Sequence, residues 1–444
     1  MKIVFIGAGS GFGAKTVVDI LSFEELRSAQ IVLVDINPDH LHPVVDYARK
    51  VAQAVGSDPS LITGELAWRG GVLDQADYVI TAFSQGGPGY NGVPYYYEMN
   101  VPAEYGIAQC VGDTVGIGGM FRIMRTAPEL LAIAQDMEQR CPGAWLLNYV
   151  NPMSMLTRII SKACPNITVF GLCHNIQYGI RDLARWLKVS HKDLKYRCAG
   201  VNHMDWFIQL QYLDGTSAYP DLLKAAENPE VYRQRPVQFE LLKHFGYFTT
   251  ESSRHCAEYL PYFLPREADR QRIGGLEARQ LDEVPPPVQP RWNPDAQLMK
   301  ELRGDIPLNL TRSFEYGAHI IHAHETDDVC RMHINVMNNG YIDNFDSETC
   351  VEVECIVDRN GLQPMRFGRM PIELASLCHN MSDMQTLGSD AFLEKDLRKA
   401  LLACTLDGCT AASATPDTIR TCFNRLLDLE RDLLRPYWGE VQHV

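Results

Sequence analysis

No C-x-x-C pair occurs in this sequence, although 13 cysteines are scattered from Cys110 to Cys422. An odd, unclustered set argues against a disulfide framework and for free thiols, most of them buried as small hydrophobes. No apolar run reaches the ~18 residues needed to cross a bilayer, which removes a membrane from the expected partners. Basic charge is short: 41 Lys and Arg face 55 Asp and Glu, a net charge of −14. An acidic surface repels phosphate backbones, so nucleic acid is not an expected partner either. Internal repeats and low-complexity tracts are missing. With 46% hydrophobic and 22% charged residues, a disordered chain, a collagen and a coiled coil are ruled out. The start runs from Met1-Lys2 straight into Ile3-Val4-Phe5-Ile6 and then glycines. No small-residue cleavage site follows a long apolar stretch there, and the expectation is a cytoplasmic protein.

What is present is a long chain with a legible beginning. Its 444 residues are enough for two large domains and a core that needs no disulfide or metal staple. Ile3–Ile6 reads as a strand, Gly7-Ala8-Gly9-Ser10-Gly11-Phe12-Gly13 as a turn, Lys15–Leu26 as a helix, and Ile31–Val34 as a second strand closed by Asp35. This is a βαβ unit of dinucleotide-binding type. Further strands are expected at 78–83, 145–150 and 168–172, with helices at 41–55 and 121–140 and a loop-bearing stretch at 84–120. Alternating strands and helices predict a doubly wound parallel sheet with ligands beyond the carboxyl ends of its strands. After about residue 195 the pattern changes to alternating antiparallel strands (206–212, 349–357), a proline-rich loop (Pro285–Pro294) and terminal helices (389–437). The predicted fold is therefore α/β: an N-terminal Rossmann domain over 1–195, like that of lactate and malate dehydrogenases, and a mixed α+β domain over 196–444 for substrate, metal and oligomer contacts.

A dinucleotide pyrophosphate needs free backbone N–H groups at a helix N-terminus. Gly7 and Gly9 fill the first two positions of G-x-G-x-x-G. Phe12 stands at the third, with Gly13 beside it; the shifted register Gly9-x-Gly11-x-x-Ala14 also fits. Asp35 at the end of the second strand is placed for ribose hydroxyls, favouring NAD over NADP. Cys173-His174-Asn175 and Gly200-Val201-Asn202-His203 hold a thiol and an imidazole 30 residues apart. These suit Zn²⁺, or Mn and Fe less well, but also suit plain strand ends.

The order of these segments resembles glycoside hydrolase family 4. The matching stretches are Ile6–Ser10, Asp35, Gly112-Asp113-Thr114 with Gly116, Gly118 and Gly119, Arg122, Arg125, Asn151-Pro152, Cys173-His174 and Gly200-x-Asn202-His203. Leu146–Met153, Tyr196–Met204 and Gly246–Ser253 look most like the melibiase-type bacterial α-galactosidases. The resemblance spans nearly the whole chain. It implies NAD and a divalent metal, usually Mn²⁺, as cofactors, an exception to the two-carboxylate glycosidase scheme. Sugar C3 is oxidised by hydride transfer to NAD, the C2 proton thus made acidic is removed, the aglycone leaves C1, water adds, and the hydride returns.

By this resemblance Cys173 and His203 are the metal ligands, and Gly7, Gly9, Ser10, Phe12 and Asp35 the NAD-binding residues. Asp113, Asn151, Asn175 and Asn202 face substrate. His174 stands where phospho-α-glucosidases carry an aspartate proposed as the acid, and an imidazole can fill that role. The base falls in 250–260, with Glu251 and Tyr259 as candidates. Asn175 replaces the serine of melibiase-type relatives at a position that tracks sugar preference. α-Galactosides lead the substrate expectation, with α-glucosides, α-glucuronides and α-galacturonides as alternatives; Cys-His argues against 6-phosphates. A homodimer or homotetramer is implied by analogy.

Two rivals share the first βαβ unit: a 2-hydroxyacid dehydrogenase, whose Arg-Asp-His set is not visible, and a non-catalytic NAD-binding regulator, which needs no thiol ligand. His319-Ile320-Ile321-His322-Ala323-His324 has metal-like spacing but matches no family ligand motif, and reads as structural. Tyr95-Tyr96-Tyr97 reads as packing or rim. Asn335, Asn338, Gly340 and Asn344 receive no role.

Overall fold

The protein is described by a computed structural model covering residues 1–84, 92–276, 278–283 and 297–444. The proline cluster at 285–294 lies outside the described residues. One 12-stranded sheet runs through the molecule. Its parallel half contains β1 (Lys2–Ile6), β2 (Gln30–Val34), β3 (Ile62–Glu65), β4 (Tyr78–Thr81), β5 (Trp145–Asn148) and β6 (Thr168–Gly171). Their spatial order is β3-β2-β1-β4-β5-β6, the doubly wound dinucleotide-binding order. Ile3 to Ile6 and Ile31 to Val34 are all buried, as expected of parallel strands covered on both faces.

The sheet continues into an antiparallel half: β7 (Leu194–Val201), β8 (Met204–Tyr212), β9 (Phe248–Thr249), β10 (Cys330–Met337), β11 (Cys350–Asp358) and β12 (Gly361–Pro364). β10 and β11 pair along eight residues, from Cys330↔Val357 to Met337↔Cys350. The joins on either side of this hairpin are narrow. β6 meets β10 at Gly171↔Asn335, and β11 meets β7 at Glu352↔Gly200. Both joins fall beside the two segments that carry the expected metal ligands.

Some sequence expectations shift. The helix expected over 15–26 is Gly11–Leu21 followed by a separate short turn, Glu24–Leu26. The stretch 84–120 is not all loop, because Val93–Glu104 is helical and the following helix already begins at Gly116 and runs to Arg140. Proline at the second position of the first helix fits its opening turn, whereas Gly and Tyr content suggested a loop. The helix expected at 41–55 is found as Pro38–Ala54. All 13 cysteines are free, and only Cys330 is not buried. No helix among the described residues is long and apolar enough to cross a membrane.

The His-x-x-His stretch lies on the helix Gly317–Thr326 and packs as structure. His322 stacks on Phe23 at 4.1 Å and His319 meets the same ring edge-on, while His324 stacks on Trp145 at 4.0 Å. Tyr95 donates its hydroxyl to Val111 O at 3.2 Å.

The helices Val93–Glu104 and Gly116–Arg140 are locked together by a bidentate ion pair. Arg125 Nε lies 2.6 Å from Glu98 Oε1 and Nη2 lies 2.9 Å from Oε2, with side chains only 2% and 0% exposed. A third buried group, Glu430, feels both charges. Removing the cation strands Glu98 in the interior, so Arg125→Met is expected to cost about 3–5 kcal/mol. Denaturant unfolding measures it, and a loss below about 1 kcal/mol contradicts this account.

Candidate active site

The turn after β1 is built for close approach. Gly7, at φ +89°, leaves no room for a side chain: a Cβ there would stand 2.3 Å from Ala82 O. Gly13 presses the first helical turn onto the strand end, where a Cβ would lie 2.1 Å from Ala8 O. Gly13 therefore does the packing job of the motif's third glycine, and Phe12 is free to pack edge-on against Tyr149 at 4.7 Å. Asp35 Oδ2 accepts from Gly9 N and Oδ1 from Asn37 N, each at 2.9 Å. Ser10 Oγ donates to Gly7 O at 3.1 Å. These contacts hold the turn open at the N-terminus of the helix Gly11–Leu21, the geometry that receives a pyrophosphate.

Across the strand ends, three elements bring a thiol, an imidazole and a carboxylate together. Cys173 follows β6, His203 sits in the tight turn between β7 and β8, and Glu251 follows β9. All three are buried, and one ligand atom of each lies within 4.8 Å of the others. Tyr316 clamps the backbone of Cys173, accepting from its N–H and donating to its carbonyl, both at 2.8 Å. The helix Asn175–Leu187 starts just beyond, and the Asn175 N–H and Asn202 amide face the sulfur.

Burial first, then Glu352 and Glu251, push the Cys173 thiol well above its ordinary range. Burial lowers His203 to about 4 against the pull of Glu251, so its imidazole is neutral and able to ligate. A buried thiol crowded by carboxylates, beside a neutral imidazole, lacks one positive charge. A divalent cation supplies that charge, and sulfur, nitrogen and oxygen donors suit one. The residues present therefore fit a metal.

A chain of hydrogen bonds runs from Asn151 to His255, and an ion-pair contact links it to Glu251. Asn151 Nδ2 donates to Asp113 Oδ2 at 3.1 Å, and Thr114 Oγ1 donates to Asp113 Oδ1 at 2.8 Å. Thr114 Oγ1 also lies 3.2 Å from His203 Nδ1. That nitrogen is 3.3 Å from Tyr259 Oη, which is 3.1 Å from His255 Nδ1. His255 Nδ1 in turn lies 3.6 Å from Glu251 Oε2, and Asn175 Nδ2 donates to that same oxygen. Burial lowers His255, but Glu251 and Asp113 outweigh it and raise it to about 9. Tyr259 is held well above its usual value by burial and then by Asp113 and Glu251. A proton can pass along such a chain.

His174 stands at the rim, with its side chain 46% exposed and Nδ1 3.0 Å from Glu315 Oε1. Partial burial opposes its charge, but the Glu315 pairing prevails and raises it, which suits a proton donor.

Two expected substrate contacts are placed differently. Asn202 is fully buried, and its Nδ2 donates to Glu352 Oε2 at 3.2 Å, which leaves it behind the site and not facing a sugar. The Asn175 amide is turned onto Glu251. Asp113 and Asn151 remain on the wall of the network.

Sequence reasoning did not find His255, Glu258, Glu315 or Glu352. His255 had a readable signal: residues 255 and 259 are four apart on the helix Ser253–Tyr259 and share one face. Glu258 had none. Its carboxylate accepts the backbone N–H groups of Cys110, Val111 and Gly112 at 2.8, 2.6 and 2.8 Å, shaping the loop that presents Asp113 from about 146 positions away.

The family pattern "Family 4 glycosyl hydrolase" matches residues 2–189, and that of the family's C-terminal domain matches 198–410. An α-galactosidase of Bacillus subtilis (strain 168) is 37% identical over 442 residues, covering 98% of this chain and 99% of the relative. An α-galactosidase of Rhizobium meliloti (strain 1021) is 32% identical, covering 94% and 86%. Among solved structures, a 6-phospho-α-glucosidase from gut microorganisms, in complex with NAD and Mn²⁺, superposes with a TM-score of 0.78 at 18% identity, covering 99% of each chain. Matches that span both halves identify the chain as a member of family 4 of the glycosyl hydrolases.

Proposed function

We propose that the chain hydrolyses α-galactosides with the help of NAD and a divalent cation such as Mn²⁺. The observation that carries this reading is the convergence of Cys173, His203 and Tyr259 at the strand ends, in a chain whose relatives of 37% and 32% identity are α-galactosidases. When bound, the nicotinamide supplies a hydride acceptor that returns what it takes, and the cation supplies a Lewis acid.

The chain's own residues do the rest. Gly7, Gly9, Ser10 and Phe12 form the turn that receives the cofactor's pyrophosphate, and Asp35 braces that turn beside the ribose. Cys173 and His203 hold the cation. Asp113 and Asn151 present a fixed acceptor and donor to the sugar hydroxyls. Tyr259 acts as its phenolate, its own proton having been released to solvent, and takes the C2 proton to become a phenol; His255, charged at neutral pH, donates to the phenolate oxygen and stabilises it before that transfer. His174 protonates the departing glycosidic oxygen. Glu315 favours its charged form, and it is open at the rim, where the leaving group exits.

Hydrolysis of p-nitrophenyl α-galactoside is expected to require NAD⁺, a divalent cation and a reductant that keeps Cys173 reduced. It should exceed hydrolysis of the α-glucoside and α-galacturonide. Turnover in D₂O should place deuterium at C2. Activity that survives removal of both NAD⁺ and metal overturns the mechanism, and a preference for another sugar overturns the substrate.

The acid role of His174 has its own test. His174→Ala should lose about 10²–10⁴-fold on methyl or disaccharide α-galactosides, whose leaving groups need a proton. It should lose far less on the p-nitrophenyl glycoside, whose leaving group departs as a stable anion. Equal losses on both would assign His174 to positioning.

A further inference from the structure

The position of Glu251 does not suit a base. We infer that Glu251 is the third protein ligand of the divalent cation, completing a thiolate–imidazole–carboxylate set with Cys173 and His203. The inference rests on the reading that those two residues hold the metal.

Three observations carry it. First, the donor atoms of all three residues lie within 4.8 Å of one another, and each side chain is buried. Ligands of one ion at ~2.0–2.3 Å must fall within such a spread. Second, the carboxylate is fixed before any ion arrives. Ser252 N donates to Oε1 at 2.6 Å, Asn175 Nδ2 donates to Oε2, and the Glu251 carbonyl accepts from Gln238 Nε2. A carboxylate oxygen that accepts one hydrogen bond keeps a second lone pair, and such outer partners are what orient metal ligands. Third, the donor types suit the ion: a carboxylate oxygen adds a hard donor, the kind Mn²⁺ accepts, to the sulfur and the imidazole nitrogen. Three protein ligands with open positions left for substrate is the pattern of a catalytic metal site. Asn175 thereby gains a role: its amide orients Glu251, and its backbone N–H faces the sulfur of Cys173.

The test measures metal binding directly in the full-length, metal-stripped protein, by the electron paramagnetic resonance signal of free Mn²⁺ during titration. Glu251→Gln and Cys173→Ser should each weaken Mn²⁺ binding by about 100-fold or more, while His174→Ala stays within about threefold of wild type. Glu251→Asp keeps the charge but shortens the reach, and should weaken binding about 10-fold; it carries the test if the glutamine variant does not fold. Glu251→Cys should shift the preference from Mn²⁺ toward Cd²⁺, because a second thiolate favours the softer ion. A merely structural residue would not change that preference. Wild-type Mn²⁺ affinity in Glu251→Gln or Glu251→Asp, with binding lost in Cys173→Ser, overturns this inference and leaves the Cys173–His203 site standing. Wild-type affinity in Cys173→Ser as well overturns the metal-site reading itself.

Discussion

The carboxylate of Glu352 is the contact on which the site depends. It is fully buried on β11, and its Oε2 accepts from Asn335 on the paired strand β10 at 3.0 Å and from Asn202 in the β7–β8 turn at 3.2 Å. These residues stand at the two narrow joins of the sheet, Gly171↔Asn335 and Glu352↔Gly200. The parallel half ends two residues before Cys173, and β7 ends two residues before His203. A short register at each join brings the two ends close, and one carboxylate ties them. Asp205 lies near Glu352: burial, then Glu352, pushes Asp205 well above its usual range, and burial raises Glu352 although Asp205, Asn202 and Asn335 pull it down. An apolar residue at 352 would leave two buried amides without an acceptor.

The parts of the molecule that could be read from the sequence are those written in one local string. The glycine turn and Asp35 are contiguous with strands whose apolar runs are continuous. Cys173 and His203 close strands, and ligands collect where strands end. The parts that could not be read are carboxylates acting on backbone far away. Glu258 shapes 110–112 and Glu315 holds His174, each across more than 140 positions; no period or spacing marks such residues. The His319–His324 string shows the opposite error of reading by spacing alone. Its imidazoles follow one another at spacings of three and two residues, yet its rings are used up in contacts with Phe23 and Trp145. Spacing places side chains on a face, but burial and neighbours decide what that face does.

Charge accounting explains why the site is acidic and why that is tolerable. Glu251 is paired with His255, which stays charged because of it. Asp113 is held below its usual range because His255 and Arg122 outweigh its burial. Burial raises both Asp205 and Glu352, which disfavours their charged forms. Each negative group thus has its own answer within the protein, with the exception of Cys173. Its thiol has only a helix N-terminus and an amide facing it, which favour a thiolate modestly but do not overcome burial. A divalent cation would make the thiolate stable, and under the proposed reading the same thiolate holds the cation. Burial comes first for the other buried thiols too, and carboxylates raise several of them further, but among the described residues none of them joins a histidine and a carboxylate in such a cluster. One cysteine among thirteen is therefore set apart by its neighbours and not by its burial, and under the proposed reading its reduced state is a condition for metal binding.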